Sequence, residues 1–156
     1  MPPPKKVTTP APVAVVRKGL ISSLAYSALS PADKKESHRL EFVSRQAIVF
    51  GPTDYLYHAT STTAVPSIKI SGLTTRDARG LAAKDASKDA FISAARTEGG
   101  AGSLSSSSTL LRFKPSLIPG TPPWKAYGAV GGEVRTMSPV PANVLQKKSG
   151  TTWVAL

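Results

Sequence analysis

At 156 residues the chain is long enough for one compact domain with an irregular arm, and too short for two catalytic domains. With no cysteine, two histidines and nine acids, it excludes a disulfide framework, a thiolate metal site and a cysteine nucleophile, and it offers no zinc-ligand spacing. A net charge of +11 favours a polyanionic partner, nucleic acid or an acidic protein, and describes a solubilising surface equally well.

Basic and acidic residues number eight and three over residues 1–50, six and five over 51–98, and six and one over 99–156, so the positive charge sits at the two ends. Aromatic residues make up only 6%, and 14 prolines with 12 glycines imply many turns and short strands. No apolar run approaches the roughly 20 residues that span a bilayer, so the expectation is a soluble chain without a membrane partner. Met1 leads into prolines and lysines, so any export would rely on a signal in a larger parent chain or on a specialised secretion machine.

Residues 1–18 hold Pro2, Pro3, Pro4, Pro10 and Pro12 without apolar period, which predicts an extended arm or linker. Residues 19–50 read as a helical segment. Leu20, Ile21, Leu24, Ala25, Ala28 and Leu29 repeat at helical spacing, and Ser30-Pro31-Ala32-Asp33 supplies an N-cap, a first-turn proline and a first-turn acid. The second helix is expected to run to about Gln46, with Leu40, Val43 and Ala47 on its packing face, before Gly51-Pro52 breaks the chain. From residue 54 the pattern predicts strands near 55–59, 90–94, 108–114, 133–140 and 151–156, with one helix near 62–71. Gly99 to Ser103 and Ser105 to Ser108 read as flexible loops.

Three stretches carry chemistry-bearing residues at predicted strands: Tyr55-Leu56-Tyr57-His58-Ala59-Thr60, with Ser71-Gly72-Leu73 after the following helix; Ala90-Phe91-Ile92-Ser93-Ala94; and Gly131-Gly132-Glu133-Val134-Arg135-Thr136, followed by Ser138-Pro139-Val140-Pro141. Glu133 is the one acid among the last 58 residues. A carboxylate there suits cleavage of a ribose–nitrogen bond, because it can hydrogen-bond a ribose hydroxyl and stabilise a developing oxocarbenium ion. The two ring nitrogens of His58 can donate and accept at once, which suits a ribose hydroxyl. Ser93 has no paired base, so its role is positional. The candidates for gripping a diphosphate are Arg79, Arg96, Arg112 and Arg135, the last on the same strand face as Glu133; Phe91, Tyr55, Tyr57 and Trp124 are candidates for stacking on a base or nicotinamide.

In order and spacing, residues 54–156 resemble the ADP-ribosyltransferase superfamily, in particular small bacterial toxin domains that open on Tyr-His-Ala/Gly-Thr and a helix ending in Gly-Leu. The resemblance implies an α+β fold with a two-sheet, mostly antiparallel β core, here carrying an N-terminal helical layer. It implies NAD as co-substrate without a metal, with His58, Ser93 and Glu133 catalytic and His58, Ala59, Thr60, Gly72, Leu73, Phe91, Ser93 and Arg135 holding the cofactor. The implied activity is NAD-dependent mono-ADP-ribosyl transfer by a toxin or effector, secreted or delivered within a larger protein and acting in a target-cell cytoplasm; the positive charge, if not drawn to nucleic acid, would meet an acidic immunity protein.

The sequence departs from the pattern in two places. Ala94 and Ala95 follow Ser93 in place of the commoner Thr-Ser, and Gly131 stands where many protein-modifying members carry a Glu or Gln that orients the acceptor. The acceptor therefore stays open among nucleic acid, weakly favoured as RNA by the charge, a protein side chain, and water, which would make the protein an NAD glycohydrolase. RNA 2′-phosphotransferases share the opening motif. A non-catalytic basic module that binds nucleic acid is the alternative from another class.

Overall fold

The structure, a computed structural model, describes residues 23–76, 78, 89–104, 109–128 and 132–156. The proline-rich arm, Leu20, Ile21, Arg79, Gly131 and Ser105 to Ser108 lie outside them.

Two helices come first, α1 (Ser23–Ser27) and α2 (Pro31–Ser44). The α2 cap is the one its sequence specifies: the Ser30 hydroxyl accepts from the Asp33 amide at 3.1 Å, and Pro31 opens the first turn. Ser30→Ala is expected to cost about 1 kcal/mol, read as a lower midpoint in urea denaturation with an unchanged slope. The packing face differs from the expected one. Ser37 and Phe42 are the buried α2 residues, Val43 is 60% exposed, and Ala47 has left the helix for a strand. Phe42 turns inward because Phe91 and Tyr127 wait there, with ring centroids 5.6 and 6.4 Å away.

The strands are β1 (Ala47–Ile48), β2 (Leu56–Thr60), β3 (Ile92–Ala95), β4 (Thr109–Phe113), β5 (Trp124–Ala126), β6 (Glu133–Thr136), β7 (Gln146–Ser149) and β8 (Thr152–Ala155). A single 3₁₀ turn leads into α3 (Val65–Ser71), and α4 spans Glu98–Leu104. All pairings are antiparallel, in the order β1-β5-β6-β3-β2-β4-β7-β8. The chain is thus α+β and antiparallel. In place of two separate sheets there is one sheet with a narrow joint: β2 meets β3 through the single pair Tyr57↔Ala95, whereas β2 pairs with β4 over five positions and β3 with β6 over four.

The core lies under the sheet, where Leu56, Ile92, Leu111, Phe113, Trp124, Val134, Val140 and Leu145 gather. Alternation along β6 buries Val134 and Thr136 and sends Glu133 and Arg135 to the other side, beside Ser93 of β3, which pairs with Arg135. The predicted 133–140 strand stops at Thr136; Val140 instead makes an isolated bridge to Leu73, with both amides donating at 2.9 Å. Gly72 sits at that corner with φ +73°, and a Cβ there would fall 2.1 Å from the Val140 carbonyl oxygen. Only glycine fits.

Gly99 to Ser103, read as loop, is helical. Thr97 caps α4 by accepting from the Gly100 amide at 2.9 Å, Glu98 opens it, and Ala101 is buried where the helix packs on β2 and β3. The N-terminal segment is tied to the sheet. β1 adds an edge strand to β5, Arg45 donates to the Ala126 carbonyl at 2.9 Å, and Lys125 donates to the Arg45 carbonyl.

Candidate active site

A cavity of about 650 Å³ opens beside the narrow joint, within the size range of small-molecule sites. His58, Ala59 and Thr60 of β2, residues of α3 with the Gly72-Leu73 corner, Phe91 and Ser93 at β3, and Glu133 and Arg135 of β6 line it. The structure therefore gathers around one cleft the nine residues to which the resemblance gives catalytic or cofactor-binding roles. Because β2 and β3 diverge after Tyr57↔Ala95, the His58 ring can enter the gap and make a bond that a ladder would have made.

Ser93 is the hub. Its backbone carbonyl takes a hydrogen bond from His58 Nδ1 at 2.7 Å, and its hydroxyl donates to Glu133 Oε1 at 3.2 Å. A carbonyl only accepts, so Nδ1 carries the proton in neutral His58 and Nε2 is the acceptor. Burial holds the His58 pKa below the ordinary imidazole range, with the Ser93 hydrogen bond opposing that shift.

Glu133 is 16% exposed and receives a second hydrogen bond on the same oxygen, from Arg135 Nε at 2.8 Å. Both contacts fall on Oε1, so Oε2 is the carboxylate oxygen left to meet a ligand. Arg135 in turn lies 4.5 Å from the Tyr127 ring centroid, and Arg45 of the helix–strand link lies 4.0 Å from it. Burial, with Glu41 adding to it, pushes the Tyr127 phenol up to about 12, so this ring stays neutral between its two guanidinium groups.

Several other candidates stand elsewhere. Arg112 is stacked between Tyr55 and Trp153, outside the cavity, and Trp124 packs on Phe113 at 2% exposure, so neither they nor Tyr55 and Tyr57 can contact a ligand there. Arg96 is exposed beside Gly132 and the Phe50 ring and does not line the cavity. Arg135 is at the site, but it grips Glu133 instead of standing free for a diphosphate. The cation that sequence reasoning missed is Arg76. It lines the cavity, with a side chain 38% exposed and Nε 3.1 Å from the buried carboxylate of Asp89. Its signal was its place three residues beyond Leu73, at the corner that walls the cleft.

Compared with protein-family models, curated proteins and solved structures, the chain matches none.

Proposed function

We propose that the protein is an NAD-dependent mono-ADP-ribosyltransferase, a toxin or effector domain in which the cavity binds NAD and Glu133 drives cleavage of its nicotinamide–ribose bond. The observation that carries this reading is the His58–Ser93–Glu133 chain on the wall of one 650 Å³ cleft.

In this reading Glu133 Oε2 accepts from the hydroxyl of the nicotinamide ribose and faces the positive charge that develops at the anomeric carbon. The glycosidic electron pair leaves with nicotinamide, which departs neutral. The acceptor oxygen or nitrogen bonds to the anomeric carbon and releases its proton to solvent or to Glu133. His58 Nε2 accepts from a hydroxyl of the adenosine ribose, Phe91 walls the nicotinamide side, and Arg76, which lines the cavity, is a diphosphate contact. Ser93 and Arg135 are positioning residues that hold Glu133 in one rotamer.

The test incubates the full chain and a cell lysate with NAD labelled in its adenylate, then treats the product with nuclease or protease. Label removed by one of the two names the acceptor class, and nicotinamide released without labelled macromolecule makes water the acceptor. No label transfer together with no nicotinamide release ends the proposal.

His58 supplies a pH prediction. Its folded pKa is depressed, so its contribution to stability is complete above the ordinary value of about 6.5 and is lost as pH falls through the lower folded value. His58→Asn keeps a donor for the Ser93 carbonyl and removes the titration. Thermal melts from pH 8 to pH 5 should therefore fall less steeply for the variant than for the wild type below about 6.5.

A further inference from the structure

Beside the cavity, and sharing no side chain with it, the sheet carries an alternating row of cations and rings. The Arg112 guanidinium carbon lies 4.1 Å from the Tyr55 centroid and 4.4 Å from that of Trp153. Lys114 Nζ stands 5.3 Å from the Tyr55 centroid, and Lys148 Nζ 5.9 Å from that of Trp153. Tyr57 lies next to both aromatic residues, at 6.5 and 5.9 Å. Arg112 pairs with Tyr57, and Lys148 with Trp153, so strand pairing sets the row on one side of β2, β4, β7 and β8, away from His58 and Leu111.

These side chains are all partly exposed, with α4 packed mainly over β2 and β3 and less over β4 and β6. Charge is lopsided here. Of the six cations after residue 98, Arg135 is matched by Glu133, Lys125 is buried, Lys147 pairs with Leu111 on the other side of the sheet, and Arg112, Lys114 and Lys148 stand in the row. Glu98, paired with Lys148 at 2.6 Å, is the acid that answers them among the described residues. Arg112 is also fixed in place, since its Nε donates to Gln146 Oε1 at 2.7 Å.

We propose that this row binds a single strand of nucleic acid. Cations spaced between ring faces match a strand in which phosphates and unstacked bases alternate, and the partly exposed rings have no use for a duplex whose bases are already stacked. An acidic protein would answer the charge and leave the rings idle. The proposal does not depend on what the cavity binds.

Twelve-residue oligouridylate and oligothymidylate, titrated against the full chain, test it. Trp124 is buried, so quenching of intrinsic fluorescence reports Trp153. The expected result is quenching by either oligonucleotide, with log K falling against log salt at a slope of about −2 for three phosphate contacts. Trp153→Ala is expected to weaken binding about tenfold or more by fluorescence anisotropy of labelled oligonucleotide. Lys114→Gln with Lys148→Gln should weaken it and flatten the salt slope, whereas Lys35→Gln with Lys69→Gln, removing equal charge from exposed helix positions, should change it less than about twofold. The proposal is overturned by an absence of quenching at low salt, by equal losses from the two lysine pairs, or by polyglutamate binding as tightly as the oligonucleotides with no dependence on Trp153. Glu133→Gln serves as a separate reading of the cavity: it is expected to bind oligonucleotide as the wild type does.

Discussion

Glu133→Gln is expected to lower the rate of nicotinamide release by roughly 10²- to 10³-fold while leaving NAD affinity within a few-fold of wild type. The substitution keeps the shape and an oxygen for the Ser93 hydroxyl and Arg135, so cavity and fold are preserved. It removes the negative charge, and that charge matters most when the ribose becomes cationic. A group whose interaction strengthens only in the transition state shows its loss in kcat, with little change in KM. Nicotinamide release measured alongside NAD binding by calorimetry separates the two. A variant that loses binding and turnover in parallel would place Glu133 among the residues that merely hold the ligand, and one that keeps full turnover would remove it from the chemistry.

The largest expected effect on stability belongs to Gly72→Ala, at about 2–4 kcal/mol, read from urea denaturation. Two costs add. The backbone at φ +73° disfavours any side chain, and a Cβ would overlap the Val140 carbonyl oxygen and press on the Ala142 amide nitrogen. Neither neighbour can yield easily, because Val140 is held by paired hydrogen bonds to Leu73 and is itself fully buried. Gly120 and Gly150 also have positive φ, but a Cβ at either meets open space. Alanine at those positions should therefore cost less, and a similar loss at all three would mean that strain alone, and not the Val140 contact, sets the Gly72 effect.

Where local chemistry decides a structure, the sequence is readable. The Ser30-Pro31 start of α2 and the apolar alternation of β2, β3, β4 and β6 are local signals, and the three stretches carrying His58, Ser93 and Glu133 were legible on strands that the fold then brings together. What stayed hidden depends on partners distant in sequence. β7 reads Gln-Lys-Lys-Ser, a strand only because β4 and the β8 hairpin flank it, and β1 is two residues that exist as a strand through β5. The glycines of α4 disguised a helix that the Thr97-Glu98 start announces, because small residues let it lie close on the sheet. Arg76 and Arg112 could not be sorted by residue type. Only the fold shows one against the cleft and the other between two rings.

The tie between β1, Arg45 and β5 redefines where the folding unit begins. A fragment cut to the 54–156 resemblance would strip β5 of its neighbour and turn Trp124 and Lys125 into an open sheet edge, the kind of surface that recruits other chains. It would also remove both the Phe42 ring that covers the Lys125 ammonium and the Arg45 carbonyl that accepts from it. The smallest piece worth expressing therefore starts ahead of Ser30, and insolubility of a shorter one would report a missing edge strand.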